Sequence, residues 1–244
     1  MALRYFGSKA WLKQKLDELV PRATKVLVSP FLGSGKAELY LAKQRPDLTV
    51  QGSDIFGPVV NFHKRLQDGS LVVSLLQWVD VSVDKKQYLE MLSEIEDAAT
   101  FFMVMRHSFN GKFASYGKAD KLSKRTLHAI GKLQTPNFTV RQQDALDAIR
   151  NAPSGAIIFA DPPYLLKTRE RYYAHSRGDM EFQRALAEAL KARNLPFILC
   201  TNDEPEVLKL YEGCRIEAYP RVCRTSKQHS KKYDEIVITS GILL

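Results

Sequence analysis

The chain reads KVLVSPFLGSGKAELYLAKQRPDLTVQGSD over residues 25–54. The segment Lys25–Val28 at its start, with three apolar residues in succession, predicts a short strand. A tight turn with glycines at positions 33 and 35 follows, and residues 36–43 are typical of a helix. A second strand is predicted for residues 49–53, ending at Asp54. Strand, glycine-rich turn, helix and strand make a βαβ unit, so this stretch predicts a parallel sheet.

A similar succession returns in the carboxyl-terminal half of the chain. Residues 156–160 are apolar and predict a buried strand, a helix is predicted near residues 180–193, and another strand at residues 196–200. A late strand at residues 235–239 is expected to pair with residues 215–219. We therefore expect an α/β fold built on a mostly parallel sheet.

The alternation is interrupted between residues 56 and 136. The pattern there is mainly helical and rich in Lys and Arg, and it predicts helices at residues 59–67, 85–97, 100–107 and 123–133. We interpret residues 56–136 as an inserted helical subdomain. The remaining residues, 1–55 and 137–244, would form the domain that carries the sheet.

The charge and the cysteine content limit the class of protein. The 244 residues include 36 Lys and Arg against 27 Asp and Glu, for a net charge of +9, which favours a polyanionic partner such as nucleic acid. The chain contains no apolar run long enough to span a membrane, and residues 1–5 lack a signal-peptide core. Cys200, Cys214 and Cys223 have no metal-ligand spacing, so we expect a reduced, cytoplasmic protein without a metal.

The tetrapeptide Asp161-Pro162-Pro163-Tyr164 follows the strand predicted at residues 156–160. The two prolines stiffen the turn and remove two backbone donors. The Asp161 carboxylate and the Pro162 carbonyl then offer two acceptors, and Tyr164 offers a flat aromatic face. This combination suits a planar ring that is held by an exocyclic amino group.

The glycine-rich turn and Asp54 indicate a nucleoside-type cofactor. Gly33 and Gly35 allow a ligand to approach the backbone at a helix N-terminus, and an acid about 20 residues later can bind ribose hydroxyls. The complete dinucleotide fingerprint is absent, so NAD is not predicted. Asp144, which follows a short predicted strand at residues 138–140, is placed to accept from the adenine amino group of such a cofactor; Asp147 is the alternative.

These motifs resemble those of the Dam-type DNA adenine-N6 methyltransferases, the D12 class, over nearly the whole chain. Arg4–Lys9 resembles the N-terminal aromatic-x-Gly-Gly-Lys segment of the family, with Ser8 in place of the second glycine. Pro30–Gly35 resembles its Pro-Phe-x-Gly-Ser-Gly turn, which binds the methionine part of S-adenosylmethionine. Ser53–Ile55 resembles its ribose segment, and Asp161–Tyr164 is its catalytic motif.

Three further segments add to the resemblance, and one position departs from it. Phe109–Gly111 resembles the Phe/Tyr-Asn-Gly hairpin that touches DNA, Thr201–Asp203 resembles a Ser-Asn-His/Asp turn, and Lys231–Glu235 resembles the basic-then-acidic run before the last strand. The family usually has Glu before Pro-Phe, where this chain has Ser29. That Glu is thought to help form the cofactor site.

The resemblance implies a Rossmann-like, S-adenosylmethionine-dependent methyltransferase fold. It also implies a site-specific enzyme that transfers a methyl group from S-adenosyl-L-methionine to N6 of an adenine flipped out of double-stranded DNA. The implied catalytic residues are Asp161, Pro162, Pro163 and Tyr164. The implied cofactor-binding residues are Tyr5, Gly7, Lys9, Pro30, Phe31, Gly33, Gly35, Asp54, Asp144 and Asp161.

Basic and polar residues near the predicted insertion are candidates for contact with DNA. Arg4 could read a guanine, Asn110 could read a base edge, and Phe109 could fill the space that a flipped base leaves. Lysines and arginines of the insertion suit phosphate contacts. The predicted DNA-binding set is Arg4, Phe109, Asn110, Lys112, Lys121, Lys124 and Arg125.

Other functions share parts of this pattern. An N4-cytosine DNA methyltransferase would use the same chemistry on another amine, and RNA-directed or glutamine-directed relatives usually carry Asn at the position of Asp161. A catalytically weak DNA-binding relative is a third alternative, which Ser29 favours and Lys9, Asp54, Asp161 and Tyr164 oppose. The target sequence and the presence of a cognate restriction endonuclease stay open, and we expect a monomer.

Overall fold

A computed structural model describes residues 3–165, 178–224 and 230–240. The strands are β1 (Val26–Ser29), β2 (Thr49–Asp54), β3 (Phe138–Gln142), β4 (Ile157–Ala160), β5 (Phe197–Asn202), β6 (Arg215–Arg224) and β7 (Ser230–Thr239). The helices are α1 (Lys13–Leu19), α2 (Lys36–Gln44), α3 (Gly57–Gln67), α4 (Ser70–Leu75), α5 (Lys85–Met91), α6 (Ala98–Arg106), α7 (Lys124–Gly131), α8 (Ala145–Arg150), α9 (Met180–Arg193) and α10 (Pro205–Lys209).

The strands form a seven-stranded sheet in the order β3-β2-β1-β4-β5-β7-β6. β1 to β5 pair in parallel, and β7 runs antiparallel to both β5 and β6. The α/β fold with a mostly parallel, Rossmann-like sheet is therefore confirmed. The order of the strands reverses between β1 and β4, and in such sheets the crevice at the carboxyl ends of the strands on either side of that point binds ligands.

Helices cover both faces of the sheet, because alternate side chains of a strand point to opposite faces. On β4, Ile157 and Phe159 join a core formed with α1 to α7, whereas Ile158 and Ala160 join a second core formed with α8 to α10. All four residues of β4 are buried, which is the pattern of a central parallel strand. In the part of the chain that the structure describes, no helix is long and apolar enough to cross a membrane.

The helices between β2 and β3 differ from those that the sequence predicts, and α4 at Ser70–Leu75 was not expected. The expected helix at residues 85–97 is wrong in length: α5 ends at Met91, and a short 3₁₀ turn, Leu92–Glu94, follows. Asp97 instead begins the next helix, because its carboxylate accepts a hydrogen bond from the Thr100 backbone N–H and caps α6. The domain boundaries at residues 56 and 136 stay a prediction; α3 packs on β2 and β3.

The carboxyl-terminal hairpin is longer than the sequence indicates. β6 and β7 have 10 residues each and pair from Arg215↔Thr239 to Arg224↔Ser230, whereas strands were expected only at residues 215–219 and 235–239. The expected pairing of those two segments is confirmed. The added length contains one proline, Pro220, and charged residues such as Lys231, which obscure the apolar alternation of a strand.

Candidate active site

The turn between β1 and α2 is shaped by two glycines in the left-handed region, Gly33 with φ +47° and Gly35 with φ +60°. Gly35 caps α2, and a Cβ added there would lie 2.7 Å from Cε1 of His63. Nε2 of His63 lies 2.9 Å from the carbonyl oxygen of Gly33. Burial lowers the pKa of His63 to about 4, so the ring is neutral near pH 7. It therefore packs against the turn without adding charge.

Asp54 connects this turn to the end of β2. Its Oδ2 accepts a hydrogen bond from the Gly33 N–H at 2.9 Å, and its Oδ1 accepts from the Phe56 N–H at 3.0 Å. Burial raises the pKa of Asp54, and these backbone hydrogen bonds oppose that rise. An ionised carboxylate has about four lone-pair sites, so Asp54 can accept from a ligand as well.

The β1–α2 turn and the end of β2 border a cavity of about 400 Å³ at the carboxyl ends of the central strands. A cavity of this size lies within the range of small-molecule sites. Of the predicted cofactor residues, Tyr5, Gly7, Lys9, Pro30, Phe31, Gly33, Asp54, Asp144 and Asp161 line it. Gly35 is not among the residues that line the cavity, because it lies under the turn against His63.

The walls of the cavity include apolar side chains to which the sequence analysis assigned no role. Ile55 and Phe56 follow β2, Leu146 lies in α8, and Phe182 lies in α9, edge-on to Phe31. Flat and branched side chains of this kind suit the faces of a planar ring. Their positions depend on how three separate elements meet, which a single-sequence pattern does not reveal.

Asp144 lines the cavity and is also the N-cap of α8. Its Oδ1 accepts from the Leu146 N–H at 2.9 Å and from the Asp147 N–H at 3.3 Å. The alternative candidate, Asp147, forms an ion pair with Arg150 instead. The structure thus brings Asp144 to the cavity, and its contact with a cofactor stays a prediction.

Asp161 and Tyr164 of the predicted catalytic motif form a charged cluster with the buried side chains of Lys9 and Glu235. Nζ of Lys9 lies 2.7 Å from Oδ1 of Asp161 and 2.9 Å from Oε1 of Glu235, and it donates to the carbonyl oxygen of Gly7 at 2.8 Å. The hydroxyl of Tyr164 donates to the same oxygen of Glu235, and the Lys9 ammonium lies 5.0 Å from the centroid of the Tyr164 ring. These contacts therefore join three segments that are far apart in the sequence at the carboxyl end of β4.

The electrostatics of the cluster follow from its burial. Burial raises the pKa of Asp161 to about 6 although Lys9 lowers it, and Glu235 contributes to the rise. Burial also raises the pKa of the Tyr164 hydroxyl well above its usual range, so this group stays protonated. Asp161 is therefore mainly ionised at pH 7, and its titration lies close to neutrality.

Two side chains fix the backbone of the motif. Nε2 of Gln183, on α9, donates to the carbonyl oxygen of Pro163 at 2.9 Å, and Nδ2 of Asn202, at the end of β5, donates to the carbonyl oxygen of Leu165 at 2.8 Å. Asp161 and Pro163 line the cavity, and Pro162 is buried. The polar turn at Thr201–Asp203 thus has a structural role at the site.

Glu38 and Glu235 are two site residues that sequence reasoning missed. Glu235 ends the basic-then-acidic run at residues 231–235, which was noted as a motif but given no role. Glu38 is buried in the first turn of α2, lines the cavity, and accepts from the Ser29 hydroxyl at 2.8 Å. An acid in the first turn of a helix is ordinary in sequence, so nothing local marked Glu38.

The candidate DNA-contact turn lies against the N-terminal segment. The Phe6 N–H donates to the carbonyl oxygen of Gly111 at 3.1 Å, and a Cβ on Gly111 would lie 2.9 Å from that nitrogen. Asn110 has φ +53° and is exposed, as is Phe109, and the Lys112 ammonium lies 5.5 Å from the centroid of the Phe6 ring. These residues are adjacent to the cavity because Phe6 lines it.

The other predicted DNA-binding residues lie outside the cavity lining. Arg4 is exposed and donates to the carbonyl oxygen of Arg106 at 3.2 Å. Lys121, Lys124 and Arg125 are exposed just before and within the first turn of α7. The structure does not gather these four cations into one contact, and their roles stay predictions.

Comparisons with known proteins identify the family of the chain. The family model described as D12 class N6 adenine-specific DNA methyltransferase matches residues 5–223. A DNA N-6-adenine-methyltransferase of Escherichia phage P1 is 24% identical over 91% of this chain, which spans only 32% of that relative's length. A type II methyltransferase of Lactococcus lactis subsp. cremoris is 22% identical over 97% of this chain and 94% of its own.

Solved structures with a similar chain course include one titled as a methyltransferase and one titled as a methylase. A precorrin-6y C5,15-methyltransferase of Geobacter metallireducens GS-15 superposes with a TM-score of 0.45 at 9% identity, covering 94% of this chain and 85% of its own. An rRNA methylase of Streptococcus thermophilus superposes with a TM-score of 0.40 at 10% identity, covering 94% of this chain and 95% of its own. The similarity is low, and the sheet topology rather than these superpositions defines the fold.

Proposed function

Because the chain belongs to the D12 class N6 adenine-specific DNA methyltransferase family, we propose that it transfers a methyl group from S-adenosylmethionine to N6 of an adenine flipped out of duplex DNA. One observation carries the proposal. Asp161 of the catalytic motif, Gly33 of the glycine-rich turn and Asp54 of the ribose segment all line one cavity.

The residues of the cavity fit S-adenosylmethionine. The left-handed Gly33 exposes backbone where a side chain would stand, Asp54 is an acceptor suited to hydroxyls, and apolar walls such as Phe182 suit a ring. The acids of the cavity suit a ligand that carries positive charge. When bound, this cofactor supplies an electrophilic methyl group on a sulfonium sulfur.

In this proposal, Asp161 and the Pro162 carbonyl accept the two hydrogens of the adenine amino group. The nitrogen lone pair, otherwise delocalised into the ring, is then directed at the methyl carbon. With the methyl group supplied by the bound cofactor, Asp161 would take up the N6 proton or pass it to water. Positioning and electrostatics supply the catalysis, and no covalent enzyme intermediate is needed.

Lys9, Glu235 and Tyr164 prepare the acceptor. Lys9 favours the ionised form of Asp161, and Glu235 holds both Lys9 and the Tyr164 hydroxyl in place. One face of the Tyr164 ring lies toward the Lys9 ammonium. We assign the other face to stacking on the flipped adenine.

The candidate DNA contacts lie next to this site and on the exposed surface beyond it. Asn110 and Arg4 are assigned to base edges, and Phe109 to the gap left by the flipped base. Lys112, Lys121, Lys124 and Arg125 are assigned to phosphates, in keeping with the net charge of +9.

The test is methylation of a panel of duplexes with labelled cofactor, followed by mapping of the modified base. We expect label at adenine N6 with the wild-type chain, and Asp161→Ala to reduce the rate far more than tenfold with the fold intact by circular dichroism. A reduction of less than about tenfold, equal to about 1.4 kcal/mol in barrier, would contradict the role of Asp161. Label at cytosine N4 would instead identify the alternative activity.

A further inference from the structure

Glu38 occupies an unusual position for a carboxyl group in the first turn of α2. Its side chain is only 4% exposed although it lies near the start of a helix, where acids commonly face water. It nevertheless lines the cavity. A buried carboxyl needs partners, because removal of its charge from water is costly.

Ser29 is the partner that positions Glu38. Ser29 ends β1, is 1% exposed, and donates its hydroxyl to Oε1 of Glu38 at 2.8 Å. Ser29 is also the residue that stands where the resembled family usually has Glu. A Glu at position 29 would place a second carboxyl against Glu38, so the hydroxyl of Ser29 and the carboxyl of Glu38 fit each other.

The charge around Glu38 favours a cationic ligand. The charged groups that act on its carboxyl are Asp161, which disfavours ionisation, and Lys9, which favours it, and the buried Cys200 thiol is also within its field. Burial is the largest effect and raises the pKa of Glu38 to about 7. Lys9 already forms ion pairs with both Asp161 and Glu235. A cationic group of a ligand would therefore supply a counter-charge for the carboxylate of Glu38.

We propose that Glu38, positioned by Ser29, binds the ammonium group of the amino-acid part of S-adenosylmethionine. This inference rests on the proposed function for the identity of the cofactor. The location supports the amino-acid end rather than the nucleoside end. Glu38 lies in the field of Asp161 and Lys9, where the methyl group must be delivered, whereas the ribose segment is at Asp54.

The experiment compares two ligands that differ only in the amino-acid part. S-adenosylhomocysteine carries that part, and 5′-methylthioadenosine lacks it. Calorimetry with the full chain should show that Glu38→Gln lowers the affinity for S-adenosylhomocysteine by at least tenfold. The same substitution should change the affinity for 5′-methylthioadenosine by less than twofold. Ser29→Ala should lower only the affinity for S-adenosylhomocysteine, by several-fold. This variant provides the test if Glu38→Gln does not fold.

Glu206→Gln is the matched control, because Glu206 is an exposed acid in the first turn of α10 and should leave both affinities unchanged. Equal weakening of both ligands in Glu38→Gln would show a general structural role and overturn the inference. An unchanged affinity for S-adenosylhomocysteine would overturn it as well. If the wild-type chain binds neither nucleoside, the proposed function fails together with the inference.

Discussion

At the scale of single residues, burial and Lys9 act in opposite directions on the pKa of Asp161. Burial alone would keep Asp161 protonated to a higher pH, and the ammonium 2.7 Å away lowers its pKa again, to about 6. The carboxyl is thus an acceptor at neutral pH but remains close to its titration. This balance differs from that of an exposed aspartate, whose pKa is about 3.9.

The first prediction concerns pH. In single-turnover methylation at saturating cofactor and DNA, the rate constant should decrease below about pH 6 and approach a tenfold decrease for each further pH unit. The reason is that protonation of Asp161 removes a hydrogen-bond acceptor for the adenine amino group. Cofactor affinity must be measured at each pH, since the pKa of Glu38 is raised to about 7. A rate that stays level down to pH 5 would show that ionised Asp161 is not required.

Some residues of the site are predictable from sequence and others are not. Gly33 lies in the turn after β1, Asp54 ends β2 and Asp161 directly follows β4. Parallel strands bring their carboxyl ends to one edge of the sheet, so these positions are expected to lie together. Glu38 and Glu235 have no such local signal. Their places at the site come from burial against Ser29 and Lys9, which only tertiary packing creates.

At the scale of elements, the β1–α2 turn depends on both backbone conformation and space. We predict that Gly35→Ala destabilises the fold by more than Gly155→Ala. Both glycines have positive φ, +60° and +77°, so each substitution incurs a backbone cost of about 1–2 kcal/mol. A Cβ at Gly35 meets His63 at 2.7 Å, whereas a Cβ at Gly155 has no atom within 4 Å.

Urea unfolding of the two variants measures this difference. The added clash at Gly35 should cost at least about 1 kcal/mol more, because the buried His63 ring must move. Equal losses of stability would mean that the ring yields freely.

The helical region shows why element boundaries are harder to predict than elements. The residues from α5 to α6 have a continuous helical composition, so one helix was expected at residues 85–97. Asp97 was included in that expected helix, but its side chain caps the N-terminus of the next helix, α6. A capping acid and an acid within a helix have the same letter in the sequence, and only the hydrogen bond distinguishes them.

At the scale of the whole molecule, the order of the elements made the fold predictable. Two strand–turn–helix–strand sets specify a doubly wound sheet, and the observed sheet has that form. The function of the surface is less accessible to prediction. Exposed Lys and Arg look alike in sequence whether they meet phosphate or water.

A third prediction separates base-edge contacts from phosphate contacts. Asn110→Ala or Arg4→Ala should relax the sequence preference of methylation and leave cofactor affinity unchanged. Lys121→Ala should weaken all duplexes alike and reduce the slope of log affinity against log salt by about one unit. Methylation of cognate and singly substituted duplexes, with binding at several salt concentrations, measures both effects. Full discrimination by the Asn110 and Arg4 variants would place recognition elsewhere.

The contact between Phe6 and Gly111 has a thermodynamic consequence. One backbone hydrogen bond joins the N-terminal segment that lines the cavity to the turn that carries Asn110. If the first binds cofactor and the second binds DNA, each ligand orders a surface that the other uses. Such coupling is reciprocal: whatever factor the cofactor adds to DNA affinity, DNA must add to cofactor affinity. The order in which the two ligands arrive would then affect the rates of assembly but not the final stability of the ternary complex.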